Sequence, residues 1–155
     1  VGLLVAGLTE TPDSEFMIVS RSFLQGYQWF AGLADAGTGV CLIVVPILTM
    51  RLLGIEIGEH QAPYLSYIGV FVLGIGLSYF LCGRLGDGEE SCARWESTWR
   101  FTATCRSLVA LFLFWKIGQG QFAFPWLIVA LTDAALASFQ WVGLHQGWLR
   151  REASS

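Results

Sequence analysis

The sequence predicts an all-α, polytopic membrane protein: four transmembrane helices in an antiparallel bundle, with a short N-terminal interfacial helix. Three observations predict it. Of the 155 residues, 54 % are hydrophobic and only 14 % are charged, against about 25 % charged in an ordinary soluble domain. The mean hydropathy is +0.57. Four stretches approach the length of about 20 mostly apolar residues that a bilayer-spanning helix needs. Four spans and their connections use nearly all of a chain of one-domain length, leaving no room within it for a separate soluble catalytic domain.

The elements follow in order. VGLLVAGL opens the chain as an eight-residue apolar piece, too short to count as a span. It resembles the apolar part of a signal peptide but lacks a basic flank and a clear cleavage site. In TPDSEF, Thr11 is placed as a helix N-cap, Pro12 as the first helical residue, and Asp13 and Glu15 as first-turn acids. The apolar residues that follow suit a short helix lying at the membrane interface, with Gly26 letting the chain turn inward. Residues 1–28 are therefore read as an N-terminal segment, 29–148 as the transmembrane domain and 149–155 as a cytoplasmic tail.

The first span is predicted over Trp29–Met50, the second over Pro63–Cys82, the third over Trp99–Trp115 and the fourth over Phe122–Leu144. Nothing charged interrupts the second. In the third, Arg106 leaves only nine uncharged residues before Lys116, so Arg106 has to lie within the membrane if that span exists. Pro46 predicts a kink or a freed carbonyl in the first span, whereas Pro125 falls in the first turn of the fourth, where proline is tolerated. The stretch GRLGDGEESCAR, Gly83 to Arg94, reads as a flexible acidic loop.

Orientation follows from the basic residues. One side of the membrane would hold Arg21, Arg84, Arg94, Arg100, Arg150 and Arg151, and the other only Arg51 and Lys116. By the positive-inside rule both termini are cytoplasmic, in a multi-pass protein of the bacterial inner membrane. Trp29, Trp99 and Trp148 are expected near the inner interface, and Tyr64, Trp115 and Trp126 near the outer one. Small residues four apart predict close helix packing at Gly32 and Ala36, at Gly74 and Ser78, and at Ala130, Ala134 and Ser138.

Three ionisable residues fall inside the spans: Asp35, Arg106 and Asp133. The turn between the last two spans centres on Gln119–Gly120; Arg106 lies thirteen residues before Gln119 and Asp133 thirteen after Gly120. In an antiparallel hairpin the two share a depth, and Asp35, six residues past Trp29 or about 9 Å at helical rise, comes to a similar level. Gln140, seven residues beyond Asp133, and Thr102, four before Arg106, extend the polar face. Such a cluster reads either as a salt bridge that fixes helix register or as a proton or ion relay. Two carboxylates and one guanidinium leave one negative charge in excess, which a proton on one aspartate would neutralise.

Other chemistry finds little support. The basic residues form no nucleic-acid patch. Cys41, Cys82, Cys92 and Cys105 contain no CxxC and read as buried or cytosolic thiols. His60 and His145 belong to opposite sides and cannot share one haem; Glu56, Glu59 and His60 are too sparse for a metal site. There is no HExxH, P-loop or GxSxG motif.

The stretches VPILTMRLLGI, YIGVFVLGIGLSYFL, CRSLVALFLFWKIGQG and WLIVALTDAALASFQ cover most of Trp29 to Leu144. In pattern the chain is similar to the small bacterial four-helix membrane proteins that include the DoxX-like group. Some of that group are linked, as subunits, to quinone or thiol redox complexes, and the resemblance implies no catalytic residue. The expected function is a non-catalytic accessory subunit of an energy-transducing membrane complex, respiratory or photosynthetic. The alternative is a small membrane redox protein or proton-coupled carrier that uses Asp35, Arg106, Asp133 and Gln140. The expected partners are lipids and other integral membrane subunits. No cofactor or metal of its own is predicted, and lipid, quinone or pigment contacts would lie at its surface.

Overall fold

A computed structural model describes residues 20–85 and 88–151. The described residues are mostly helical, without a strand. In chain order they form α1 (Arg21–Val44), α2 (Pro46–Leu52), a 3-10 turn (Glu59–Gln61), α3 (Ala62–Leu81), α4 (Glu89–Gly118), α5 (Trp126–Gln146) and the short α6 (Trp148–Arg151). Three helical segments are long and apolar enough to cross a membrane: Glu59–Leu81, Glu89–Gly118 and Trp126–Gln146. α1 is equally long, but its apolar segment is cut at Val45, and Gln25, Gln28 and Asp35 interrupt it.

Several boundaries differ from the sequence reading. Thr11, Pro12, Asp13 and Glu15 lie outside the described residues, but Gly26 is no turn. α1 begins at Arg21, where the Ser20 hydroxyl accepts from the Phe23 amide, and runs straight through Gly26. The acidic loop is also shorter than expected, because Glu89–Arg94 is already helix. Glu89 and Glu90 occupy its first turn, where carboxylates complement the helix dipole, and Ser91, Cys92 and Trp95 supply a buried face. α4 therefore starts ten residues before Trp99.

Pro46 breaks the first span as its chemistry demands: α1 ends at Val44, Val45 is its cap, and Pro46 opens α2. A proline at 46 cannot donate to the Leu42 carbonyl. That carbonyl accepts instead from the Ser66 hydroxyl of α3 at 3.2 Å, so the buried acceptor stays satisfied. Pro125 caps α5 at its start, one residue before the helix begins.

The helices pack in two pairs, α1 against α3 and α4 against α5. The first pair closes through glycine. A Cβ on Gly39 would lie 2.5 Å from the Leu73 amide nitrogen, and one on Gly76 only 2.3 Å from that of Ala36. Gly32 faces Tyr79 and Phe80, and Gly69 faces Leu42 and Ile43. Gly32 and Ala36 thus lie on the seam, but Gly74 does not: it is exposed with nothing near its missing Cβ, while the half-buried Ser78 donates to the Ile75 carbonyl of its own helix. The face of α3 that meets α1 carries Gly69, Leu73 and Gly76 instead. On α5, Ala130 is buried and Ala134 half-buried, but Ser138 is exposed; the buried stripe runs Ala130, Ala137, Gln140, Gly143.

Two apolar clusters cap the molecule. At the end bearing Arg84 and Trp148, Leu24, Cys82, Leu85, Cys92, Trp95, Trp99, Trp148 and Leu149 pack together. At the other end are Leu42, Met50, Ile55 and Leu65, with Trp126 against them. Trp99 and Trp148 are both buried in the first of these clusters. Gly143 makes the space for them, since a Cβ there would come within 2.7 Å of both rings. Gly147, at φ 67°, reverses the chain after α5 and folds Trp148 and Leu149 back onto that core. Leu149 therefore belongs to the packed domain and not to a tail. Of the cysteines, Cys82 and Cys92 are buried, Cys105 is half-buried and Cys41 is exposed; all four are free thiols.

Candidate functional site

Close glycine packing dominates the α1–α3 seam, whereas ionised and polar side chains converge where α4 meets the other long helices. Arg106 projects from the middle of α4 and is only 5 % exposed. One of its terminal amines donates to Asp35 Oδ2 on α1 at 2.5 Å, and the other donates to Asp133 Oδ1 on α5 at 2.6 Å. Its Nε reaches the Tyr79 hydroxyl of α3 at 3.5 Å. A single guanidinium therefore addresses the three other long helices, and its planar fork of donors suits it to that task.

Gln140, expected in this network, enters it indirectly. Its side-chain nitrogen donates to the Tyr79 hydroxyl at 3.0 Å and to the Thr102 hydroxyl at 2.9 Å, without touching Arg106. Towards the Arg84 end a second polar group continues the seam. The Gln28 side chain donates to the Tyr79 carbonyl at 3.1 Å and accepts from the Trp99 indole at 2.8 Å. Gln28, Tyr79, Thr102, Gln140 and Trp99 are all buried. Burial at that depth is tolerable because most of these groups find partners. Among the described residues, the Gln140 carbonyl oxygen and the Trp95 indole nitrogen are buried without one.

Tyr79 and Gln28 were not singled out by the sequence. Both are uncharged and lie in apolar surroundings, so only their polar tips distinguish them from ordinary span residues. A second signal did exist for the packing seam: Gly32 and Gly39, like Gly69 and Gly76, stand seven residues apart on one helical face.

A cavity of about 80 Å³ lies between α1, α3 and α4 near the Arg84 end. It runs from exposed Trp29 and Arg84 to buried Gln28, Tyr79 and Trp95, so it shares two side chains with the polar seam. His60 lies on the 3-10 turn and His145 near the end of α5, both exposed. Among the described residues, no group of three or more His, Cys, Asp or Glu side chains is placed to hold a metal ion.

The surfaces of the helices are rich in large apolar side chains, Phe30, Leu33, Phe71, Leu81, Leu108 and Leu131 among them. That is the exterior lipid or other membrane-embedded helices would cover. No protein-family model, curated protein or solved structure matches the chain.

Proposed function

We propose that the chain is a four-span integral membrane subunit, with α1 as the fourth span. It works without catalysis by packing within a larger assembly of the bacterial inner membrane. One observation carries this reading: Arg106 binds Asp35 and Asp133 at once, so the charges inside the spans hold helices to each other. Removing Arg106 would strand two carboxylates in a medium that cannot solvate them, and removing either aspartate would untie one helix, which makes the cluster an effective register lock. The basic end at Arg84, Arg94, Arg100 and Arg150 supports cytoplasmic termini. The pattern shared with small four-helix membrane proteins of the DoxX-like kind supports a role as a subunit of an energy-transducing complex. The deciding experiment is native purification followed by mass spectrometry of the intact assembly. Stoichiometric co-purification with larger membrane subunits is expected; recovery only as a free monomer or homo-oligomer would overturn it.

A second reading is favoured by one feature, the surplus negative charge beside the hydrogen bonds that link Arg106, the Tyr79 hydroxyl, Gln140 and Thr102. On that reading the cluster takes up and releases a proton during redox or carrier work. The Asp133→Asn variant separates the two. The subunit reading expects lowered stability and no change in proton uptake by reconstituted vesicles. A stable variant that has lost proton uptake would favour the relay.

A further inference from the structure

In the ion cluster Arg106 is buried, but its two aspartates, on α1 and α5, keep partial exposure. Near the Arg84 end α1 and α5 are joined by aromatic packing: the Tyr27 and Phe139 rings lie 4.5 Å apart, and the Tyr27 hydroxyl donates to the Leu136 carbonyl at 3.5 Å. Seven residues further along each helix, on the same faces, stand Ala34 and Thr132, and both are exposed, as is Thr38 one turn beyond Ala34. Nothing as large as the Tyr27–Phe139 pair closes the seam there. Asp35 and Asp133 sit next to this opening, and their side chains are 16 % and 17 % exposed. Each has one carboxylate oxygen bound to Arg106, and among the described residues its other oxygen has no hydrogen-bond partner.

In a membrane that opening faces hydrocarbon or another helix. A cluster with a surplus negative charge next to hydrocarbon is costly, and intramembrane carboxylates normally face a partner or an internal cavity. The small Ala34 and Thr38 let a second backbone come close enough to supply that partner. A second copy of this chain fits poorly. At this depth it carries only Arg106, already bound to its own aspartates, so symmetric pairing would set two surplus negative charges against each other.

We propose that the α1–α5 cleft at Ala34, Thr38 and Thr132 docks a transmembrane helix of another protein that carries a lysine or arginine near its middle. The incoming cation would bond the free oxygens of Asp35 and Asp133 and balance the cluster. The inference rests on the accessory-subunit reading and gives that reading a partner chemistry.

The test uses the purified full chain in phosphatidylcholine vesicles. The probes are synthetic leucine–alanine helices of about 20 residues, long enough to span. One peptide carries a central lysine and the other a central leucine, each with a dansyl group to accept energy from the protein's tryptophans. The central-lysine peptide should associate about tenfold more tightly, worth about 1.4 kcal/mol. Asp133→Asn, which removes the surplus charge, should abolish that preference. Ala34→Phe fills the cleft without touching the cluster and should abolish it at unchanged thermal stability. Equal binding of both peptides would overturn the proposal and leave a proton as the neutralising charge. Persistence of the lysine preference in Ala34→Phe would also overturn it, by moving the site elsewhere. So would efficient disulfide cross-linking between copies through the exposed Cys41, which would make a second copy the occupant. These outcomes need no native partner, so they fail or succeed independently of the co-purification that tests the subunit reading.

Discussion

The α1–α3 seam and the seam between the helix pairs solve the same problem by opposite means. In the first, glycines let two backbones touch, and Gly39 and Gly76 leave no space for even a methyl group. Around the second, long polar side chains fill the space: Arg106 reaches Asp35 across the pairs and Asp133 within its own, Gln28 meets Trp99, and Gln140 meets Tyr79 and Thr102. Where apolar side chains gain nothing by leaving lipid for each other, association has to come from close packing or from polar bonds. This molecule uses close glycine packing within the α1–α3 pair, and polar bonds both within the α4–α5 pair and between the pairs. The glycine seam is rigid because it depends on shape. The polar seam is specific because a one-residue slip would separate Arg106 from both carboxylates.

The contrast can be broken from either side. The largest effect is expected from Gly76→Val, whose side chain would collide with the Ala36 backbone, an obstacle that cannot swing aside. Its cost should exceed the ~1–3 kcal/mol usual for overpacking, seen as loss of the cooperative unfolding transition when SDS is titrated into mixed micelles. Next comes Arg106→Gln, which leaves two buried carboxylates facing one another and should cost about 3–5 kcal/mol in the same titration. The triple variant Asp35→Asn, Arg106→Gln, Asp133→Asn should recover much of that loss, because no charge is then stranded. If it is no more stable than Arg106→Gln alone, charge balance is not what holds the polar seam.

Smaller effects sharpen the comparison. Gly143→Ala pushes against the Trp99 and Trp148 rings. It should cost about 1–3 kcal/mol and change the near-UV circular dichroism of those tryptophans. Gly74→Ala is the control for the glycine seam. Nothing lies near its missing Cβ, so the change should be neutral or stabilising by up to about 1 kcal/mol through helix propensity. A strongly destabilised Gly74→Ala would mean that the seam runs along a different face of α3.

The site was partly legible in advance because charges are conspicuous in an apolar chain. Asp35, Arg106 and Asp133 stand out against their surroundings, and helical rise brings them to one level without any knowledge of packing. Tyr79 and Gln28 give no such contrast, although the network depends on both. The packing prediction shows the same division. Gly32, Ala36 and Ala130 fall on contact faces, whereas Gly74 and Ser138 share their spacing yet point outward. Small residues four apart occur on every face of a helix, and spacing alone cannot say which face meets a neighbour.

Depth along the membrane normal is a one-dimensional quantity, the residue count multiplied by a constant rise. The sequence alone therefore determined three segments that are long and apolar enough to span, and which charges share a level. Rotation about each helix axis is different in kind. It depends on how side chains of several helices interlock, and a turn of 100° per residue makes it sensitive to every bend and boundary. Only the tertiary structure decided that Gly76 meets Ala36, that Trp99 turns inward to Gln28, and that Asp35 and Asp133 lie beside an open seam.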